Sequence, residues 1–177
     1  MERWVRNEVI YDGDVVRLKV GGAELDDGTP VQREVVEHSG GVAVVPLLDD
    51  RVVLVRQYRI AIGKDLLEIP AGRLEPNEDP AIRAAAELEE EVGYRAGSMS
   101  LLSTFYPSPG FCDQIDYLYL ATDLEKTVAR PEFDERIEIV TMTLGELREL
   151  ITTGKETLDA KTLIGVYALF AHLGVAV

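Results

Sequence analysis

Three glutamates that could hold a metal ion lie close together in the chain: Glu87, Glu90 and Glu91. In a helix, their i, i+3, i+4 spacing would place the carboxylates side by side, where like charges repel. A hard divalent cation would relieve that repulsion through oxygen ligands. Such an ion lowers the pKa of a bound water and neutralises charge on a departing phosphate oxygen. A solvated acidic helix face is the alternative interpretation, and the isolated E-x-x-E-E pattern favours it.

The element that must position these carboxylates is a helix with clear ends. Asp79 is a suitable N-cap, Pro80 fits the first helical position, and Gly93 is a natural C-terminal cap. The apolar spacing predicts one inward-facing side, made of Ala81, Ala85, Leu88 and Val92. The three glutamates would then lie on a different face of the helix.

Strands are expected on both sides of this helix. Asp-Gly turns at 12–13 and 27–28, and the Asp49-Asp50 pair, separate stretches rich in β-branched residues. They predict strands within residues 8–20, 23–37, 42–48, 51–58 and 66–69, and later near 100–105, 116–121 and 138–142. Further helices are expected over 144–152, capped by Thr143, and over 161–173. This order predicts an α+β or α/β sandwich in which helices flank a mixed sheet.

The composition excludes several classes of protein. With 177 residues, of which 46% are hydrophobic, the chain fits one globular domain with room for a small N-terminal appendage. The net charge of −14 argues against a surface that binds nucleic acid, which is usually basic. No apolar run is long enough to cross a membrane. The absence of a leader and the single cysteine, Cys112, predict a cytoplasmic protein without internal disulfides.

Residues 72–94, GRLEPNEDPAIRAAAELEEEVGY, resemble the Nudix box, G-x5-E-x7-R-E-U-x-E-E-x-G-U, in which U is a bulky apolar residue. Eight positions agree in register, Tyr94 only loosely: Gly72, Glu78, Glu87, Leu88, Glu90, Glu91, Gly93 and Tyr94. The resemblance implies a Nudix-type α/β/α sandwich with a mixed sheet. It also implies a loop-helix-loop that binds Mg²⁺, with Mn²⁺ as a substitute.

The resemblance also implies metal ligands. They would be the carbonyl of Ala71 and the catalytic carboxylates of Glu87 and Glu91, with Glu90 close by. Glu75 would contact metal-bound water. Glu78 would have a supporting role, or would be an exposed acid that interacts with the helix dipole.

One position departs from the box, because Ala86 stands where the family has an arginine that helps to orient the catalytic carboxylates. A guanidinium among three carboxylates also relieves their repulsion. Arg83 lies one turn before Glu87 at i, i+4, and we hypothesise that it partly replaces the missing arginine.

Along nearly its full length the chain resembles the ADP-ribose pyrophosphatases of the Nudix family. The similar segments are REVVEHSGGVAVVPL, VRQYR, LLEIPAGRLEPNEDP, YPSPGFCDQ and DAKTLIGVYAL. The subfamily has a proline about fifteen residues after the box, which here is Pro109, so the resemblance places Pro109, Gly110 and Phe111 at the substrate. An ordinary Pro/Gly turn is the alternative. Gln114 stands where close relatives often have an acid.

The subfamily resemblance implies further substrate residues. A glutamate in the segment PEFDERIEI would position or deprotonate the attacking water, with Glu135 preferred over Asp134 and Glu132. A solvated loop is the alternative. Arg33 and Arg59 would bind the diphosphate, because a guanidinium fits phosphate oxygens bidentately. For Arg56 a surface salt bridge is as well supported.

The expected reaction is hydrolysis of ADP-ribose, a nucleoside diphosphate sugar, to AMP and ribose 5-phosphate. Residues 1–38 would be an N-terminal β region that forms a homodimer, and residues 39–177 the hydrolase domain. Two alternatives stay open. The substrate could instead be GDP-mannose, NADH or FAD, and Ala86 leaves room for a nucleotide-binding regulator with weak turnover.

Overall fold

The computed structural model describes residues 1–133 and 135–176. The chain divides into two compact units. The first comprises Met1–Gly40 and Tyr106–Ile115, and the second comprises Gly41–Phe105 and the chain from Asp116 onwards. Within the described part of the chain, no helix is long and apolar enough to cross a membrane.

The first unit contains a three-stranded antiparallel sheet, formed by β1 (Glu2–Asp12), β2 (Arg17–Leu25) and β3 (Pro30–Glu37) in that order. The predicted Asp-Gly turn joins β2 to β3, where Gly28 has a φ of 87° that favours glycine. The segment 106–115, which belongs to the same unit, is hydrogen-bonded to the end of β3. The backbone N–H of Val36 donates to the carbonyl of Phe111 over 2.7 Å.

The second unit contains a mixed sheet of seven strands. They are β4 (Gly41–Leu48), β5 (Arg51–Arg59), β6 (Lys64–Glu68), β7 (Ala71–Arg73), β8 (Tyr94–Phe105), β9 (Asp116–Lys126) and β10 (Ile137–Thr143). The central order is β10-β5-β4-β9-β8, with β6 beside β5 and β7 beside β4. The β4–β9 pair is parallel, whereas the other pairs are antiparallel.

Helices cover both faces of this sheet, which confirms the predicted sandwich. They are α1 (Pro80–Val92), α2 (Leu144–Thr153) and α3 (Ala160–His172). Because side chains alternate along a strand, β4 supplies both cores. Val42 and Val44 pack in one cluster with Leu88 of α1, and Ala43 and Val45 pack in the other with Phe170 of α3.

The ends of α1 are as predicted, but its buried face agrees with the prediction only in part. The carboxylate of Asp79 accepts the N–H of Ala81 over 2.8 Å, and Gly93 ends the helix with a φ of 69°. Ala81 and Ala85 are exposed, and the inward face consists of Ala84, Glu87, Leu88, Glu91 and Val92. The prediction is confirmed for Leu88 and Val92 and wrong for Ala81 and Ala85, because Glu87 and Glu91 occupy buried positions although they are acidic.

Candidate active site

Glu87 and Glu91 lie on successive turns of α1 and face the sheet. Their side chains are almost fully buried, with 4% and 3% of each residue exposed. Oε2 of Glu91 accepts the backbone N–H of Ala71 over 3.0 Å. Gly72 is the next residue of β7, and a β-carbon there would overlap the Glu87 carboxylate. The short strand β7 therefore provides both the contact and the space for the two carboxylates.

Burial changes the acidity of both groups, because removal from water disfavours the charged form. It raises the pKa of Glu87 to about 7, against the lowering effect of the Arg83 guanidinium. For Glu91, burial together with the charge of Glu87 raises the pKa to about 8. Without a bound cation, both carboxylates would therefore be partly protonated near neutral pH.

The other predicted metal ligands, Glu90 and Glu75, are less buried than Glu87 and Glu91. Glu90 is partly exposed, and the carboxylate of Glu75 pairs with Arg73 over 3.3 Å. The carboxylate of Glu78 accepts the backbone N–H of Glu75 over 3.0 Å. This contact favours the supporting role of Glu78 over an exposed acid. Among the described residues, no group of three or more His, Cys, Asp or Glu side chains is arranged to hold a metal ion.

The predicted base, Glu135, lies close enough to influence the buried pair. Its negative charge contributes to the raised pKa of both Glu87 and Glu91. Its own carboxylate accepts the backbone N–H of Glu132 over 3.0 Å. Asp134, the second choice, lies outside the described residues.

Two backbone hydrogen bonds hold the segment before Glu135 against the end of α1. The N–H of Thr127 donates to the carbonyl of Gly93 over 2.8 Å, and that of Arg130 donates to the carbonyl of Glu90 over 2.7 Å. Gly93 also permits this approach, because a β-carbon there would lie 2.6 Å from the backbone nitrogen of Ala129. No pattern in the sequence predicted these contacts.

Arg59, a predicted phosphate ligand, is held by a buried glutamate. Its Nε and Nη2 donate to the two carboxylate oxygens of Glu68 over 2.6 and 2.9 Å. Lys161 binds the same carboxylate. Sequence reasoning missed Glu68, although a charged residue within the apolar run LLEIP was a usable signal. Arg56 instead pairs with Glu156 over 2.6 Å, as its salt-bridge alternative predicts.

Four predicted substrate residues line a cavity of about 420 Å³ in the first unit: Arg33, Pro109, Gly110 and Phe111. Trp4 and Tyr106 also line it, so its walls combine aromatic rings with a guanidinium. Nη2 of Arg33 donates to Oε2 of Glu2 over 2.6 Å. This combination of surfaces is suited to a flat polar ring and a charged group.

A family model described as the NUDIX domain matches residues 37–162, which is more than half of the chain. The chain is a Nudix hydrolase. It is 42% identical over 171 residues to a "Methanol dehydrogenase activator" of Bacillus methanolicus, covering 95% of this chain and 92% of that protein. It is 37% identical, with the same coverage, to an "ADP-ribose pyrophosphatase" of Bacillus subtilis (strain 168).

A solved structure supports the fold of this Nudix hydrolase. The crystal structure of an "ADP compounds hydrolase" superposes with a TM-score of 0.87, covering 98% of this chain and 94% of that chain. At 20% sequence identity, this likeness shows the fold alone. The hydrolase therefore has the architecture that the box implied.

Proposed function

We propose that this Nudix hydrolase cleaves the diphosphate of ADP-ribose, giving AMP and ribose 5-phosphate in a magnesium-dependent reaction. The observation that carries the proposal is the buried pair Glu87 and Glu91, with the charge of Glu135 acting on both. Relatives of similar length that are named ADP-ribose pyrophosphatases support the choice of substrate.

The donor atoms around the buried pair suit a hard divalent cation, although no three of the described acidic side chains are already grouped to hold one. All the donors are oxygens, which suit Mg²⁺ and also Mn²⁺. Because Gly72 has no side chain, the Glu87 carboxylate lies directly against β7. The ligands would be the Ala71 carbonyl, Glu87 and Glu91, with Glu90 beside them and Glu75 contacting metal-bound water. A bound ion would polarise the diphosphate and lower the pKa of a coordinated water.

The protein side chains supply orientation and proton transfer. Glu135 would accept a proton from the attacking water, a role that requires hydrogen-bond reach of that water. Arg59 would bind a phosphate group with its guanidinium, which Glu68 holds in one orientation through two hydrogen bonds. Arg56 would add a second positive charge from the same strand.

The cavity in the first unit supports a nucleotide as the substrate. Trp4 and Phe111 provide aromatic surface on which a base can stack. Arg33 provides a guanidinium for a phosphate, with Pro109 and Gly110 forming part of the wall. A sugar phosphate without a base would leave this aromatic surface unused.

We also propose that the first unit forms a homodimer. Strand β1 exposes Val5, Ile10 and Tyr11, which are 63%, 59% and 58% exposed. Exposed apolar side chains along one strand are typical of a surface that meets a partner. Light scattering after size-exclusion chromatography would test this, and a monomer at micromolar concentration would contradict it.

A dinucleotide such as NADH or FAD is the second candidate substrate. It carries the same diphosphate, and dehydrogenases commonly use nicotinamide or flavin dinucleotides. The relative named methanol dehydrogenase activator favours this candidate. A regulator with weak turnover stays the third candidate, because Ala86 replaces the box arginine.

The deciding experiment is AMP or phosphate release from ADP-ribose, GDP-mannose, NADH and FAD, with and without Mg²⁺. Glu91→Gln should abolish cleavage, whereas Glu89→Gln is the matched control, because Glu89 of the same helix pairs with exposed Arg95. Magnesium-dependent cleavage of ADP-ribose supports the proposal. If another compound is cleaved faster, that compound becomes the proposed substrate. If nucleotides bind without being cleaved, the result supports the nucleotide-binding regulator.

A further inference from the structure

One guanidinium in α1 reaches two of the box carboxylates. Nη2 of Arg83 pairs with Oε1 of Glu87, and Nη1 lies 3.4 Å from Oε2 of Glu90. The two terminal nitrogens of Arg83 therefore contact two different glutamates. A lysine, with a single compact charge, could not reproduce this bridge.

The helix geometry explains how this bridge forms. Residues three, four and seven positions apart lie on one face of a helix, so Arg83, Ala86, Glu87 and Glu90 are neighbours. The Nudix box has its arginine at the position of Ala86, whose methyl group offers no charge. In this chain the arginine lies about one turn earlier, at position 83, and its guanidinium contacts Glu87 and Glu90.

This ion pair differs from an ordinary surface pair that joins Glu89 of α1 to Arg95 of β8. The Glu87 side chain is 6% exposed, so Arg83→Ala would remove an ion-pair partner from a buried carboxylate. By contrast, the Arg95–Glu89 pair is exposed on both sides, and such pairs contribute little. Nε of Arg83 is buried and has no hydrogen-bond partner among the described residues, so contacts to carboxylates orient this guanidinium.

We propose that Arg83 is a positioning residue that replaces the missing box arginine by holding Glu87 and Glu90 in a fixed relative orientation. The proposal rests on the function proposed above, because it assumes that these carboxylates form the metal site. It predicts that an arginine placed at position 86 can take over when Arg83 is removed.

The test compares Arg83→Ala, Arg83→Lys and the double variant Arg83→Ala/Ala86→Arg, with Arg95→Ala as the matched control. We expect Arg83→Ala to lower kcat by about 10- to 100-fold with little change in KM, because it disturbs orientation and not substrate binding. The lysine variant should be intermediate. The double variant should recover most of kcat, and Arg95→Ala should behave like the unchanged protein.

Two further measurements do not depend on turnover. Metal-free Arg83→Ala should melt about 2–6 °C lower, because Glu87 loses its partner. The dissociation constant for Mn²⁺, measured by calorimetry, should change several-fold and return towards its original value in the double variant. Arg95→Ala should alter neither quantity.

The outcomes separate this proposal from the proposed function. Normal kcat and Mn²⁺ affinity in Arg83→Ala would overturn the positioning role, and so would a double variant that recovers neither quantity. If the unchanged protein cleaves no compound of the panel, the proposed function fails. The melting temperature and the Mn²⁺ titration then decide the role of Arg83 by themselves.

Discussion

Gly72 of β7 and Glu87 of α1 approach so closely that a β-carbon at position 72 would lie 2.8 Å from Cγ of Glu87 and overlap its carboxylate. Real β-carbons almost never lie this close to another heavy atom, so a side chain at position 72 would displace the glutamate. The glycine of the box therefore has a steric task, which is to leave room for a buried carboxylate.

Gly72→Ala should consequently lower kcat by about 100-fold, since a displacement of roughly 1 Å at a catalytic group has such an effect. Gly145→Ala is the control, because the nearest atom to a β-carbon there is Oγ1 of Thr143 at 3.9 Å. Steady-state kinetics of both variants checks this. Full activity of Gly72→Ala would show that the glutamate tolerates displacement.

The buried pair also predicts how stability depends on pH. The pKa of Glu87 rises from 4.5 to about 7 and that of Glu91 to about 8, chiefly through burial. Between pH 4.5 and 8 the folded protein therefore holds more protons than the unfolded chain. The free energy of unfolding of the metal-free protein should fall as pH rises through this window, and be highest at its acidic end.

Urea unfolding in the presence of a chelator, repeated at several pH values across this window, measures the dependence. Glu91→Gln cannot ionise at position 91, so its slope should be shallower than that of the unchanged protein. Added Mg²⁺ should restore stability at the alkaline end of the window, because it binds only the folded state. If the dependence of stability on pH is equally steep in Glu91→Gln and in the unchanged protein, Glu91 does not cause it.

Local signals predicted the elements of the fold. Asp79, Gly93 and Thr143 act through hydrogen bonds and backbone angles within a few residues, so the sequence shows them directly. Strand β7 was missed, since three residues cannot show a period. The inward face of α1 was misjudged because hydrophobic spacing assumes that acids stay in water, whereas Glu87 is buried.

In the candidate site, too, local features could be predicted from the sequence and long-range contacts could not. The spacing of Glu87, Glu90 and Glu91 is a property of one helix, and the sequence displays it. The cluster around Glu68 is not local, because its partners Arg59 and Lys161 lie 9 and 93 residues away. Only the folded chain brings these charges together, so their pairing could not be read from spacing.

Removal of Glu68 should therefore be costly. The residue is 1% exposed and compensates both Arg59 and Lys161. Glu68→Ala should lower the free energy of unfolding by about 1–3 kcal/mol, because a buried carboxylate with two partners is lost, while Lys161 keeps Asp159 and the Arg59 side chain is 40% exposed. Glu149→Ala, which removes an exposed partner of Lys155, should change it by less than about 1 kcal/mol. Equal losses in the two variants would show that the Glu68 cluster is no stronger than a surface pair.

The last prediction concerns Glu135, the predicted base, which lies in the loop before β10. Its charge acts on both buried glutamates, and the preceding segment is fixed to α1 through Arg130. If it removes a proton from the attacking water, Glu135→Gln should lower kcat by about 10²- to 10⁴-fold while KM changes little. Glu132→Gln is the matched control from the same loop and should stay close to the unchanged protein. A loss in Glu132→Gln with none in Glu135→Gln would move the base to the other glutamate.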